Sequence, residues 1–496
     1  MVIHQIRRRK RERGFVTLIW TCMMLFVIIP SVGLAIDAGV MYVIKSKLQT
    51  AVDGAALGAA RSLSRGQDIP SQQSSATDTA KRYFHANFPN NWMGVTPVND
   101  PTVTWPTAPP ATAIINVQGD VDAPTWFMRI IGVSSLHFTV VGQATRRNVN
   151  LMLVVDRSTS LSDTGSCPTL SADSQLFVQS FSNNRDRMGL VTFGTYYNLD
   201  FAPAFDFQSS MTTMLGNLHC SGFTNSAAAF STAYTTLKGL ADQNALNVIV
   251  MFTDGQPNTV TFGPAYGTGT NPVLPRNTGG SCTAGSPATP GFSGVIAGDT
   301  GYGVTGGIYK ATNSTYPAPQ PFPADISLIG ASQGYKGGCA FPSNYYMSGT
   351  STPFANDINY LPSTDAFGNG LDTDLLGGSG FPAATLHFSS GTYNGKIKPN
   401  DRTTIENAGI NALDNAAQNA RIDAAANNIP FIVYTIGLGN APGGVNDVLL
   451  QRMANDPHSA THQSAYTDGL YMYSPDTAHL NSAFATIASD ILRISK

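Results

Sequence analysis

Charge is scarce in this sequence. Asp, Glu, Lys and Arg make up 12% of its 496 residues, about half the roughly 25% of an average soluble domain. The formal net charge is −2, so the global basic excess that draws a chain to nucleic acid is missing. Cysteine is sparse as well. There are five, and none forms the C-x-x-C spacing that points to zinc or redox chemistry. No H-E-x-x-H stretch and no repeat of fixed period is present. Gly (48) and Pro (30) are plentiful instead, and Asn, Ser and Thr fill long stretches. This composition is that of a loop-rich surface protein rather than a cytoplasmic enzyme. The length allows more than one domain with a sizeable core.

What charge there is lies unevenly. Arg7, Arg8, Arg9, Lys10, Arg11 and Arg13 crowd the basic tail of residues 1–14. An uncharged, mostly apolar run from Phe15 to Ile36 follows, long enough to cross a bilayer core of ~30 Å as a helix. The basic cluster places the N-terminus in the cytoplasm and the bulk of the chain outside it. Gly33-Leu34-Ala35 has the small-x-small form of a signal-peptide cleavage site. The helical pattern continues past it, however: Val40, Val43, Ile44, Leu48, Val52 and Leu57 recur amid alanines with no proline. One helix over residues 15–62, retained as a single-pass membrane anchor, is the expectation. Pro30 is expected to kink it without ending it.

Beyond the anchor, residues 63–76 read as a polar linker and 77–88 as a short helix. "ATAIINVQGDV" and "SLHFTVVGQAT" alternate like strands. Residues 63–148 therefore read as a small α+β segment. From residue 149 strands and helices alternate, which predicts an α/β domain with a doubly wound, mostly parallel sheet. "VNLMLVVD", "LNVIVMFTDG" and "PFIVYTIGLG" are continuous apolar runs of the kind buried on both faces. "MGLVTFG" and "YYNLDFAPAF" read as an edge hairpin. Helices are expected at 171–183, 209–217, 225–239 and 403–427. Leu480, Phe484, Ile487 and Ile491 mark a last helix. Between about 256 and 400 the alternation lapses, and the stretch reads as a loop-rich insertion.

Cys22 falls in the apolar run as a small filler. Cys167, Cys220, Cys282 and Cys339 fall on the outer side, where two disulfides with three possible connectivities are expected. The favoured pairs are Cys167–Cys220 and Cys282–Cys339.

The chemistry-bearing motif is "VVDRSTS". Asp156 ends one buried strand and is followed by Ser158 and Ser160 at alternate positions. Asp254 in "FTDGQPN" ends another. In open α/β sheets ligands bind at the carboxyl ends of the strands, so neighbouring strands would bring these carboxylates to one edge. Thr224 in "GFTNSAAAF" precedes an Ala-rich helix. Taken singly, each is a helix cap or a turn. Jointly and in this order, Asp156, Ser158, Ser160, Thr224 and Asp254 resemble the metal-ion-dependent adhesion site of von Willebrand factor A domains. The resemblance implies ligation through the hydroxyls of Ser158 and Ser160, and through Thr224 directly or by way of water. Asp156 and Asp254 would act largely through water. The implied ion is Mg2+, with Mn2+ or Ca2+ as alternatives. An open coordination position would take an acidic residue of a protein partner.

The N-terminal stretch carries a second resemblance. Asp37, Gly39, Tyr42, Lys45, Leu48, Gln49, Ala51, Asp53, Ala55, Ala56 and Leu57 follow the pattern of TadG-type proteins of tight-adherence (Flp) pilus assembly. That family implies a bacterial inner-membrane protein that helps assemble or anchor adhesive pili, with pilus or envelope components as partners. Gly14 is followed by Ile19 where the related pseudopilins carry Glu, so prepilin-peptidase processing is not expected. The alternative function is a surface adhesin dispensable for pilus assembly.

An enzyme is not expected. No His is assigned beside Ser158 or Ser160. His219 is one loop histidine. His458 and His462 have the spacing of a helical metal pair but stand in the polar "NDPHSATHQS", which reads as a loop. Asp372 and Asp374 in "DTDLLGG" read as a solvated turn, with Ca2+ binding the lesser alternative.

Overall fold

The computed structural model describes residues 16–63, 69–106, 112–242, 244–262, 294–297, 307–310, 364–371, 375–376, 402–439 and 444–495. The chain divides into two compact units, one up to Arg146 and one spanning Arg147–Ser495.

The first unit is built on helix α1, Val16–Ser62. Its Met24–Ile28 segment is a π turn, just ahead of Pro30. The proline ring crowds the carbonyl one turn earlier and leaves it without a donor, and a widened turn relieves both. The helix therefore absorbs Pro30 and runs unbroken through Gly33-Leu34-Ala35. From Val16 to Ile36 every residue except Gly33 is exposed. From Asp37 onward one stripe is buried, including Met41, Ile44, Leu48, Val52, Ala55 and Ala59. This is the three-to-four spacing of an amphipathic helix. The anticipated apolar face shifts slightly, since Val43 and Leu57 are exposed while alanines fill the stripe.

Helix α2, Ile69–Asn87, starts earlier than its sequence indicates. Residues 69–76 are helical rather than linker. Pro70 suits a first helical turn, and Gln72 and Ala76 are buried, a tertiary contact hidden by the polar composition. Strands β1 (Thr102–Thr104), β2 (Thr112–Pro124) and β3 (Ser135–Arg147) form a sheet in the order β1-β2-β3. A Cβ on Gly119 would lie 2.8 Å from Val52 and 2.9 Å from Phe84. Both helices thus close directly on the sheet there.

The second unit carries a six-stranded sheet. Its strands are β4 (Val149–Asp156), β5 (Arg187–Phe193), β6 (Tyr197–Ala204), β7 (Leu246–Thr253), β11 (Phe431–Leu438) and β12 (Tyr471–Ser474). The spatial order is β12-β11-β7-β4-β5-β6. All neighbours are parallel except the edge pair β5 and β6. Strands β4, β7 and β11 are buried at every position, as helices on both faces require.

Helices α3 (Thr159–Asp163), α4 (Cys167–Gln179), α5 (Gln208–Gly216), α6 (Ser226–Gly239), α7 (Arg402–Ala426), α8 (Asp447–Ala454) and α9 (Thr477–Ile494) complete the layers. Helices α4, α5 and α9 share one core with Leu151, Leu153 and Val155. Helices α6, α7 and α8 share the other with Met152 and Val154. The alternating side chains of β4 thus feed two opposite cores. Helix α4 begins four residues before its expected start, with Pro168 in its first turn, a position proline favours.

Strands β8 (Thr259–Phe262), β9 (Gly294–Ala297) and β10 (Gly307–Lys310) form a small antiparallel sheet within the expected insertion. Leu371 enters the α6–α7 core, and Asn369 Nδ2 donates to Ser231 Oγ on α6 at 3.0 Å. Cys282, Cys339, Asp372 and Asp374 lie outside the described residues, as does the second expected disulfide.

Candidate metal centre

Strands β4 and β7 are parallel neighbours, with Val155 opposite Phe252. Their carboxyl ends are therefore level. Asp156 closes β4, and Thr253 with Asp254 closes β7. Thr253 Oγ1 donates to Asp156 Oδ2 at 2.6 Å. Ser158 N donates to Asp156 Oδ1 at 2.8 Å, which turns the chain and aims the next side chains back at the edge.

There the hydroxyls converge. Ser158 Oγ and Ser160 Oγ are 2.9 Å apart. Ser160 Oγ donates to Asp254 Oδ1 at 2.7 Å, and Ser158 Oγ lies 3.5 Å from the same oxygen. Ser158 precedes α3 at the cap position, yet its side chain makes no capping hydrogen bond. The helix-cap reading of the motif fails for Ser158. Its hydroxyl is committed to the cluster.

Thr224 is held at the same edge from two sides. Ser221 N donates to Arg157 O at 2.6 Å, and Thr159 N to Gly222 O at 3.0 Å. Gly222 N donates to Thr159 Oγ1 at 2.8 Å. On the far side Thr224 N donates to Asn258 Oδ1 at 2.7 Å. The cap of α6 is Asn225, not Thr224. Among the described residues the Thr224 hydroxyl makes no hydrogen bond. A disulfide joins Cys167 to Cys220, at a Cα separation of 6.1 Å. It ties the start of α4 to the loop that carries Thr224, as the sequence led us to expect.

Electrostatics set this edge apart. Asp156, Ser158, Thr224 and Asp254 are all buried. Burial pushes the Asp156 carboxyl above the usual range, against its hydrogen bonds from Thr253 and Ser158. Burial pushes Asp254 up too, and the facing Asp156 adds to it. Asp254 Oδ2 is buried with no hydrogen-bond partner. Two desolvated carboxylates face each other, one with an orphaned oxygen, an arrangement that a positive charge would stabilise. The Ser158 and Ser160 hydroxyls and the two carboxylates are oxygen donors of the kind a hard divalent cation uses, with the Thr224 backbone held by Asn258. Among the described residues no three His, Cys, Asp or Glu side chains cluster.

Sequence patterns missed the supporting residues. Thr253 and Asn258 position Asp156 and Thr224. Asn225, fully buried, donates to Thr195 O and Thr261 Oγ1 at 3.0 and 2.8 Å. Arg157, inside the motif, is buried and donates through Nε to Thr192 Oγ1 at 3.3 Å. Thr192 Oγ1 in turn donates to Asp200 Oδ2 at 2.6 Å. Thr253 and Asn258 fall inside "FTDGQPN" and Arg157 inside "VVDRSTS", but nothing local to them gives their partners.

The other candidates fall elsewhere. His219 is exposed in a loop. His458 and His462 stand in turns, where they pair with Asp456 and Asp468 at 2.8 Å each. The helical metal pair does not form, because neither histidine lies on a helix. Among the described residues no histidine bonds to Ser158 or Ser160.

A doubly wound sheet of this strand order, with hydroxyls and carboxylates gathered at its carboxyl edge, defines a von Willebrand factor A-type fold. Residues 151–256 match the family model of the von Willebrand factor type A domain. Residues 14–62 match that described as putative Flp pilus-assembly TadE/G-like. The chain thus joins a TadE/G-like N-terminal segment to a von Willebrand factor A domain. No curated protein matches it.

Among solved structures it is similar to the vWF domain of the type V pili tip protein Mfa5 from Porphyromonas gingivalis. That match has 15% identity, covers 71% of this chain and 98% of the other, and has a TM-score of 0.37. It is also similar to the PilB minor pilin from Streptococcus sanguinis, at 12% identity, 80% and 79% coverage and a TM-score of 0.37. A von Willebrand factor type A protein from Catenulispora acidiphila matches at 9% identity, 80% and 51% coverage and a TM-score of 0.31.

Proposed function

We propose that this is a single-pass protein of a bacterial inner membrane that assembles or anchors adhesive pili. Its von Willebrand factor A domain binds an acidic protein partner through a divalent cation. The observation that carries the metal reading is the orphaned, buried Oδ2 of Asp254 beside the converging hydroxyls of Ser158 and Ser160. A cation there would neutralise the two carboxylates in part. Hydroxyls add no charge, so the ion would keep enough field to attract a carboxylate from outside. Ser158, Ser160 and Thr224 would hold the ion, with Asp156 and Asp254 acting largely through water. Mg2+ suits the set, and Mn2+ or Ca2+ could replace it. The apolar Val16–Ile36 segment after a basic tail supports the anchor, with its N-terminus cytoplasmic. The TadE/G-like match supports the pilus role.

The test is metal-dependent stability and binding in the unit spanning Arg147–Ser495. Mg2+ or Mn2+ should raise its thermal unfolding temperature after EDTA treatment, and Asp156→Ala should abolish the rise. In cells, deletion of the gene should remove or detach pili. Normal pili with lost attachment would sink the assembly role.

A further inference from the structure

The N-terminal unit has one more concentration of apolar surface. The connection from β2 to β3 closes on itself: Thr125 N donates to Ser134 O at 3.1 Å, and Thr125 Oγ1 to Val133 O. Between them Met128–Ile131 make one 3-10 turn, ended by Gly132 at φ 96°, a conformation that favours glycine. This ordered tip leaves large apolar groups in the open. Trp126 is 65% exposed, Ile130 82% and Ile131 76%, with the exposed Arg129 among them. Such a contiguous patch marks an interaction surface.

Its attachment shows what it faces. The Asp37 carboxylate accepts three successive backbone donors of the loop: Trp126 N at 3.0 Å, Phe127 N at 2.9 Å and Met128 N at 2.7 Å. Asp37 is the first charged residue after the apolar run of α1. One turn earlier, a Cβ on Gly33 would lie 2.8 Å from the Phe127 ring. Gly33 is the one buried residue in that otherwise exposed run. The loop therefore lies against the last turn of the apolar segment, and its patch continues the apolar surface of the helix. A single aspartate, fully buried, fixes both its height and its direction.

We infer that residues 126–131 form a second membrane contact, in which Trp126, Ile130 and Ile131 enter the interfacial layer of the leaflet where α1 emerges. The inference rests on the reading of α1 as a membrane span. Tryptophan is enriched at that depth, and Arg129 can extend its charge to lipid phosphates. The occupant is lipid because the patch is continuous with the span and sits where the span ends. Two contacts instead of one would set the tilt of the N-terminal unit on the bilayer.

The full chain, reconstituted in nanodiscs of phosphatidylcholine and phosphatidylglycerol, tests this. Part of the lipid is brominated near the headgroup end of its acyl chains, and tryptophan quenching is measured. Trp20→Phe should remove one share of the quenching and Trp126→Phe another. Ile130→Asp with Ile131→Asp should keep the Trp20 share and cut the Trp126 share at least about twofold. Retention of the Trp20 share with no Trp126 share would overturn the inference and leave the anchor standing. It would do so whether aqueous iodide reaches Trp126 or a partner protein shields it. Loss of both shares would remove the anchor reading, and the inference with it.

Discussion

Ser160 Oγ donates to Asp254 Oδ1 at 2.7 Å across 94 residues of sequence, while Oδ2 of the same carboxylate stays buried without a partner. This one contact separates two roles for Asp254. If it serves only to pin Ser160, Asp254→Asn should cost little, because an amide oxygen still accepts the bond. If it faces a cation, the same change should abolish metal-dependent stabilisation. We expect Asp254→Asn to be as stable as wild type or more so in EDTA, having lost a buried carboxyl, and to gain nothing from Mg2+. Wild type at an ion concentration 100-fold above Kd should gain about 2.7 kcal/mol. Calorimetric unfolding of both proteins with and without ion gives the comparison.

The pH dependence should invert with metal. Burial raises the folded-state pKa of Asp156 and Asp254. It takes Asp200 to about 7, despite hydrogen bonds from Thr192 and Asn198 and the nearby Arg157. An acid whose pKa is higher folded than unfolded binds more protons in the native state. Stability then falls as pH rises from the ordinary carboxylate range, about 4, toward the folded value. In EDTA the domain should therefore weaken between about pH 4 and 7, by an amount on the order of a few kcal/mol. Asp200→Asn should flatten part of that slope. Added Mg2+ should stabilise more as pH rises, since the cation needs the carboxylates ionised. Urea midpoints across this range would show either trend.

Four of the five candidate residues were easy to pick out because they follow strand ends, and strand ends announce themselves, whereas Thr224 precedes α6. "VNLMLVVD" and "LNVIVMFTDG" are apolar runs closed by an acid, so burial, direction and position all follow from composition. What was not legible depends on side chains meeting across the fold. Nothing near Asn258 says that it will hold Thr224. Nothing in Arg157 says that it turns into the sheet toward Thr192. The helical residues 69–76 were hidden for the same reason: Gln72 and Ala76 are buried by tertiary contacts that a polar local sequence does not reveal. The grip of Asp37 on residues 126–128 joins positions about ninety apart, beyond any local pattern.

The Cys167–Cys220 bridge should matter for the site more than for the fold. It ends a loop whose next residues, Ser221 and Gly222, are bonded to Arg157 and Thr159. Replacing both cysteines by serine should cost about 2–4 kcal/mol, since the cores on either side of the sheet remain. The loop bearing Thr224 would then rest on those hydrogen bonds and on the buried Phe223, packed with Val295 and Ala297. We expect metal affinity to drop several-fold while the apo protein still folds. Isothermal titration on the double variant would show an unchanged affinity if the bridge were only a staple.

Arg452 and Asp414 offer a control away from the metal edge. Arg452 Nε lies 3.1 Å from Asp414 Oδ1, and Nη2 lies 2.8 Å from Oδ2, with both residues buried between α7 and α8. The buried Arg421 also feels the Asp414 charge and donates through Nη2 to Arg452 O at 3.2 Å. Asp414→Ala strands a buried guanidinium and should cost about 3–5 kcal/mol. Changing both, Asp414→Leu with Arg452→Met, removes one of the stranded guanidiniums but leaves Arg421 buried without that carboxylate, so it should recover only part of that loss. Neither residue contributes a bond to the cluster at Asp156. The double variant should therefore show the wild-type rise in unfolding temperature with Mg2+, whereas Asp254→Asn shows none. If the double variant also lost the metal response, the stabilisation would not be specific to the edge of β4 and β7, and the metal assignment would fall.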